Sequence, residues 1–329
     1  MKDTELLAAL KEYYPIAFER VERLRDAGST TYAAYAEREN YFVKLTKPAF
    51  GDTVEGAVQL HLFLQGRGIP IPRLIAAEGE RPFVRLKDGA AERCLLLYEY
   101  LDLAEIDLSR DAREAGALLG RLHREMEFYR GELVSRDRAF YVDRYLRLLE
   151  RANYPRAAAF AEYGAALWAR IERLPRGFSH GDLYCGNLQK DPSGRLYLLD
   201  FDSACRGLPM YDLALLCNRT DYFEFRRDGY EKTAELYRLL LPEYLAHCPR
   251  SEAEIGSVCD MIALYHFALQ ATVIEFTGLE QFTDAFFDRQ LDWLLRWREQ
   301  CEESERRDPC AKGVFDHSGT DRASAGQRA

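Results

Sequence analysis

The sequence predicts a bilobal α+β protein with a small β-rich first part and a larger, mainly helical remainder. Three observations predict it. Short stretches of β-branched and aromatic residues, separated by polar turns, crowd the first hundred positions. Beyond Tyr100 the apolar residues recur at helical spacing. A single strong turn signal, Asp191-Pro192-Ser193-Gly194, interrupts that helical region with an expected hairpin over 188–199.

The elements follow in order. Residues 4–14 form a helix, with Asp3 available as its cap and Leu6, Leu7, Leu10 and Tyr14 on one stripe. Strands are expected over 16–24, 31–36 and 41–45, the first pair joined by a turn-rich tip over 25–30 and the second by the polar Glu37-Arg38-Glu39-Asn40. A helix from about Thr53 to Gln65 ends at Gly66 and Gly68, ahead of Pro70 and Pro72. Two more strands fit 83–86 and 93–98, giving an antiparallel sheet with a helix laid on it. In 111–128, Ala115, Leu118, Leu119, Leu122 and Met126 share a helical face. Further helices are expected at 139–151, 156–172, 211–224, 230–245, 252–276 and 282–300. From about Ser304 apolar content falls and a disordered tail is expected. The expected division is 1–98, 99–303 and a tail over 304–329.

Bulk composition narrows the function. Of 329 residues, 47% are hydrophobic, 30% charged and 12% aromatic, which excludes a low-complexity chain. A formal charge of -9 argues against a phosphate-backbone binder, so no nucleic acid partner is expected. No apolar run reaches the roughly 18 residues of a membrane span, and the N-terminus lacks the pattern of a signal peptide. No membrane partner and a cytoplasmic location are the expectations. The eight cysteines show no C-x-x-C pair and no histidine at ligand spacing, which disfavours structural zinc.

The chemistry concentrates between His180 and Asp202. His180-Gly181-Asp182-Leu183-Tyr184-Cys185-Gly186-Asn187 is followed, across the turn, by the apolar run Leu196-Tyr197-Leu198-Leu199 and then Asp200-Phe201-Asp202. If 188–190 pair with 195–199, Asn187 and Asp200 reach the same open end of the hairpin. A carboxamide and a carboxylate there can grip one small hard cation, with waters and phosphate oxygens completing the octahedron that Mg²⁺ prefers. Asp182 lies earlier in the loop, placed to hold an incoming hydroxyl. Phosphoryl transfer asks for such parts, since it is catalysed by positioning and charge neutralisation rather than covalent chemistry.

The pattern H-G-D-x-x-x-x-N followed by a strand ending in D-F-D resembles the aminoglycoside phosphotransferase and choline kinase superfamily, relatives of protein kinases. The resemblance extends over most of the chain, through Leu118-Leu119-Gly120-Arg121-Leu122-His123 and Tyr211-Asp212-Leu213-Ala214. Within it, the Asp200–Cys205 and Tyr211–Ala214 stretches are similar to type II homoserine kinase-like and spore-coat kinase-like proteins. It implies a protein-kinase-like fold and a kinase using ATP and Mg²⁺ to phosphorylate an alcohol group of a small molecule. It further implies that Asp182 accepts or orients the hydroxyl proton, that Asn187 and Asp200 ligate Mg²⁺, and that Lys44 contacts the α/β-phosphates with Glu55 as its partner. His180 would brace the loop, Asp212 would anchor it, and backbone groups between Glu99 and Leu101 would meet adenine.

Competing readings stand beside these. Lys44 can be a surface lysine at a strand end, Glu55 a solvated first-turn glutamate, and His123 a satisfied core histidine. Asp202 is open between a second metal ligand and a bond to the following turn. Cys185 as a hydrolase nucleophile would leave Asp182 and Asn187 without a role. The turn at 25–30 has one glycine where protein kinases have three, so phosphate cradling would rest on Gly28, Ser29, Thr30 and Thr31. No A-P-E segment follows Asp202, which weighs against a protein substrate. For the acceptor, Arg206 and Arg219 suit a carboxylate, while Asp202, Asp221 and Glu275 suit an amine; an amine-bearing or zwitterionic small molecule is expected. The alternative is a kinase-fold structural or binding protein, spore-coat-like, with little turnover.

Overall fold

The computed structural model describes residues 1–26, 29–46, 54–89 and 91–307. They divide into two units, one formed by Met1–Ile106, Phe128–Leu133 and Gly186–Asp202, the other by Asp107–Glu127, Val134–Cys185 and the chain from Ser203 onward. This differs from a single boundary at 98/99 for a physical reason. Strand Leu188–Lys190 pairs with Ala104–Glu105, and the Leu198 N–H donates to the Pro70 carbonyl at 2.9 Å. The hairpin is thereby stitched to the first unit.

The first unit opens with α1 (Asp3–Tyr13), then β1 (Phe18–Asp26), β2 (Ser29–Ala36), β3 (Asn40–Thr46), α2 (Val54–Gly66), β4 (Leu74–Ile75), β5 (Val84–Asp88) and β6 (Ala91–Glu99). Asp3 is inside the first turn of α1 rather than its cap; Glu5 reaches back to accept the Lys2 N–H at 2.7 Å. The strands form one antiparallel sheet ordered β1-β2-β3-β6-β4, with β5 also on β6.

The period of two along β3 and β6 sorts side chains to two faces. Val43, Leu45, Leu95 and Leu97 join the Leu6, Leu10 and Tyr14 stripe of α1 in one cluster. Cys94 and Leu96 join Val54 and Val58 of α2 in another. The sheet thus carries a helix on each face, one more than the sequence suggested. Lys44 is paired with Leu96 in the β3–β6 register and shares the parity that faces α2.

The second unit is helical: α3 (Leu108–Met126), α4 (Arg144–Arg151), α5 (Ala157–Ile171), α6 (Met210–Cys217), α7 (Gly229–His247), α8 (Glu252–Ile255), α9 (Val258–Thr277) and α10 (Asp284–Arg307). The Asp107 carboxylate caps α3 by accepting the Ser109 N–H at 3.0 Å. Gly116 and Gly120 let α3 press on α7, where a Cβ at Gly120 would stand 2.5 Å from the Tyr244 carbonyl oxygen. By length and composition α9 could cross a membrane, but its apolar residues, including Met261, Ile262, Leu264 and Phe267, are buried in this unit.

Two expected helices are corrected. The 211–224 segment is helical only to Cys217, because side chains take over its backbone donors. Asn218 Oδ1 accepts the Thr220 N–H at 2.8 Å and Asp221 accepts those of Phe223 and Glu224 at 2.9 and 3.1 Å. The 252–276 segment breaks after Ile255, and Ser251 and Glu254 form a capping box on the short piece. In addition, α10 runs to Arg307, past the expected start of the tail at Ser304; residues from 308 onward lie outside the described residues.

One buried group makes stability pH-dependent. His266 is fully enclosed and stacks on Trp293 at 4.1 Å between ring centroids, and burial pushes its pKa down to about 3. A histidine with a depressed folded pKa takes its proton first in the unfolded chain. Stability is therefore lost as pH falls below the ordinary value near 6.5. Between pH 7 and pH 5 this residue alone should cost about 2 kcal/mol. Denaturant unfolding at the two pH values checks it, and His266→Phe should flatten the slope.

Candidate active site

The hairpin forms as the turn signal requires. Leu188, Gln189 and Lys190 pair with Leu198, Tyr197 and Leu196, and the ladder continues one bond further, from the Leu199 N–H to the Asn187 carbonyl at 2.9 Å. Asp191 holds the turn by accepting the N–H groups of Ser193 and Arg195 at 2.9 and 3.0 Å. Asn187 and Asp200 consequently stand at the same open end. Asn187 is buried, in the short turn Cys185–Asn187. Asp200 is exposed and has φ +56°, a left-handed conformation that asparagine and aspartate tolerate best among residues with a side chain. Such backbone concentrates at sites where a side chain must be aimed.

Lys44 comes to this end from β3. Its Nζ lies 3.4 Å from Asp200 Oδ1 and 2.5 Å from Asp202 Oδ2, with the lysine side chain only 16% exposed. Burial works against the ammonium charge, but the charges of Asp202 and Asp200 outweigh it and hold the pKa above the ordinary lysine value. A fixed cation and two carboxylates therefore meet within the first unit. Asp202, left open in the sequence, is the tighter partner of Lys44.

Glu55 does not pair with Lys44 as expected. It sits on Arg85, which also bonds Glu92 at 2.6 Å. Side chains alternate along β5, and that turns Arg85 outward beside the first turn of α2, where it captures the glutamate. Of the expected phosphate-loop residues, Ser29 and Thr30 belong to β2 rather than to a tip. The Thr30 hydroxyl donates to Asp26 at 3.3 Å, and Gly28 lies outside the described residues. Glu99 ends β6, and its carboxylate accepts the Arg73 N–H at 2.7 Å. Leu101 follows β6 by two residues, outside any helix or strand.

In the second unit, the loop carrying His180 and Asp182 leaves strand Gly177–Ser179, which Cys205–Gly207 and Val134–Ser135 extend into a small sheet. Asp212, fully buried in α6, organises the start of this loop. It accepts from the Ser179 hydroxyl at 2.8 Å, the His180 N–H at 2.6 Å, the Gly181 N–H at 2.9 Å and His123 Nε2 at 3.0 Å. Burial alone would raise its pKa; His123 and these donors more than offset it, and the carboxylate is held below its ordinary value. His123 is a buried structural histidine, its Nδ1 at 2.8 Å from the Tyr244 hydroxyl. Gly181 has φ +79°, and a Cβ there would stand 2.5 Å from the Ser203 carbonyl oxygen and 2.8 Å from Arg136 Nη1. Only glycine fits at the residue that turns the chain into Asp182. Asp182 is half-buried, and its charge helps hold the Tyr265 hydroxyl pKa up, after burial.

The donor chemistry suits a hard divalent ion. Asn187, Asp200 and Asp202 offer only oxygen atoms, and no cluster of three or more His, Cys, Asp or Glu groups able to hold a metal occurs among the described residues. Magnesium is commonly held that way, by one or two carboxylates with phosphate oxygens and water. Sequence reasoning missed Arg136, Ser179 and Arg85; each enters through strand pairing or helix packing that leaves no periodic or turn signal.

Comparison with known proteins identifies the family and the fold. The model of APH, a phosphotransferase enzyme family, matches residues 20–246. A homoserine kinase of Pseudomonas aeruginosa is 32% identical over 225 residues, covering 60% of this chain and 67% of that protein. An uncharacterized protein of Deinococcus radiodurans is 29% identical over 149 residues, 44% of this chain and 43% of its own length, so the chain spans under half of that relative. Among solved structures, an amicoumacin kinase in complex with AMP-PNP and Ca²⁺ superimposes with TM-score 0.71 at 18% identity, over 92% of this chain and 94% of that one. A microcompartment-associated aminopropanol kinase gives 0.70 at 15% identity, over 95% and 99%. These likenesses show the kinase-like fold.

Proposed function

The chain belongs to the APH phosphotransferase enzyme family, and from that premise we propose that it transfers the γ-phosphate of ATP to an alcohol group of a small molecule. The observation that carries the reading is the meeting of Lys44 with Asp200 and Asp202 at the end of the hairpin. A lysine held at high pKa by two carboxylates is a polyphosphate-binding cation whose partners can exchange it for a divalent ion when nucleotide enters.

In this reading Asn187 and Asp200 hold Mg²⁺, which when bound neutralises charge on the phosphates. Lys44 draws the phosphates toward the end of β3. The chain leaving β6 at Glu99–Leu101 presents backbone groups to adenine. Ser29 and Thr30, at the start of β2, face the phosphates, with Gly28 preceding them in the sequence. Asp182 orients the acceptor hydroxyl and takes its proton as the new bond forms. His180, whose N–H is fixed by Asp212, braces the loop. Glu55 is left out of this machinery, because its carboxylate is on Arg85.

The acceptor is a small molecule bearing a hydroxyl and an amine, with a zwitterion as the favoured form; homoserine and aminopropanol, named for the similar kinases, are both of that size. We place this reaction in the cytoplasm, where ATP and Mg²⁺ are both at hand. The test is ADP release by the full chain with Mg²⁺, ATP and a panel of amino alcohols, choline and aminoglycosides. Acceptor-dependent ADP formation that stops on chelation of the metal is expected. Metal-dependent nucleotide binding with no acceptor used would instead support the binding-protein alternative.

A further inference from the structure

Two arginines flank the Asp182 loop without a carboxylate partner among the described residues. Arg219 Nη2 reaches Cys185 Sγ at 3.9 Å, and its Nη1 donates to the Asn218 carbonyl at 2.7 Å. Arg136 lies over the Phe140 ring at 4.1 Å, with Nη1 against Gly181, the residue before Asp182. Both side chains are only partly exposed. Other arginines of the second unit do meet carboxylates, as in Arg144–Glu275 at 3.1 Å and Arg170–Asp260 at 2.7 Å. A half-buried guanidinium is a fork with unused donors, and its natural complement is a planar anion.

The acidic groups suited to an amine are already engaged. Asp202 holds Lys44 at 2.5 Å, Glu275 holds Arg144, and Asp221 caps two backbone N–H groups and pairs with Arg226 at 3.3 Å. Beside the loop, Tyr222 and Tyr265 form an aromatic wall with centroids 4.9 Å apart, and the Tyr265 ring feels the charge of Asp182. Within the second unit, the groups shown beside the Asp182 loop are thus two guanidiniums and aromatic rings.

Building on the kinase reading, we propose that Arg219, assisted by Arg136, is a carboxylate-binding subsite for the acceptor, so that the protein selects hydroxy acids over the corresponding amino alcohols. Arg219 is a specificity-determining residue here, and no proton or phosphoryl group passes through it.

The experiment uses the full chain and two matched pairs, L-homoserine with 3-amino-1-propanol and L-serine with ethanolamine. Each pair shares its hydroxyl and amine and differs by one carboxylate. Initial rates give kcat/KM, and calorimetry in the presence of Mg²⁺ and AMP-PNP gives acceptor binding without turnover. At least one carboxylate member should be favoured by about tenfold or more over its partner, the scale of charge-assisted hydrogen bonds. Arg219→Met should remove that preference by weakening the carboxylate member alone, and Arg219→Lys should restore part of it. Affinity for Mg²⁺·ADP, measured on the same samples, should not change and reports an intact fold.

Equal or better use of the amino alcohols overturns the proposal. So does an equal loss on both members in Arg219→Met, or the binding of neither member while nucleotide binds. Failure of Mg²⁺-nucleotide binding in the wild-type protein is a different result, and it removes the kinase reading itself.

Discussion

Asp182→Asn is expected to lower kcat by about 10²–10⁴-fold, the usual contribution of a positioned proton acceptor. Affinity for Mg²⁺·ATP should stay within about threefold, because the interaction removed is made only as the acceptor reacts. The carboxamide keeps the size and most of the hydrogen-bonding reach of the carboxylate but cannot accept the hydroxyl proton. Its neighbour Gly181 is fixed by Asp212 and by close approach to Ser203, so the loop has little freedom to bring another base into its place. Single-turnover kinetics with nucleotide binding on the same sample separate the two quantities. Unchanged turnover would remove Asp182 from the chemistry.

Asp200→Ala is expected to act on a different step, lowering Mg²⁺-dependent nucleotide affinity by at least about a hundredfold. Loss of groups that merely orient metal ligands already costs about 10–100-fold, and here a ligand itself would go. The substitution also places alanine at φ +56°, which costs on the order of 1 kcal/mol. Asp200→Asn is the control, since it tolerates that backbone conformation while losing the charge. Lys44 keeps Asp202 in both variants, so β3 retains an ion pair at the hairpin end. Calorimetric titration with AMP-PNP, with and without Mg²⁺, reads the effect. Equal loss of the metal-free and metal-dependent binding would indicate a general disturbance of the fold instead.

What could be read from the sequence was local. The turn Asp191–Gly194 dictates its hairpin, and the register of that hairpin brings Asn187 and Asp200 to one end of it. A strand over 41–45 was legible too, but the structure extends it to Asn40–Thr46, so Lys44 lies inside β3 rather than at its end. The pairing of Glu55 was not, because it depends on which face of β5 carries Arg85. The premature end of α6 was hidden because Asn218 and Asp221 suit a helix by pattern and leave it only through their own side-chain bonds. Arg136 gave no signal, since it follows a strand of two residues, Val134–Ser135, that exists only by parallel pairing with Cys205–Arg206. Its place beside Gly181 is a property of the folded chain.

Catalysis in this reading requires that two groups, Asn187 and Asp200, share one divalent ion at the hairpin end. The most direct measurement is the anomalous scattering of Mn²⁺ in crystals of the full chain grown with AMP-PNP. An anomalous peak within about 2–2.3 Å of oxygen atoms of both Asn187 and Asp200, bridged to the nucleotide phosphates, is the predicted result. Nucleotide bound with Mn²⁺ on other residues, and with Asp200 still on Lys44, would contradict it.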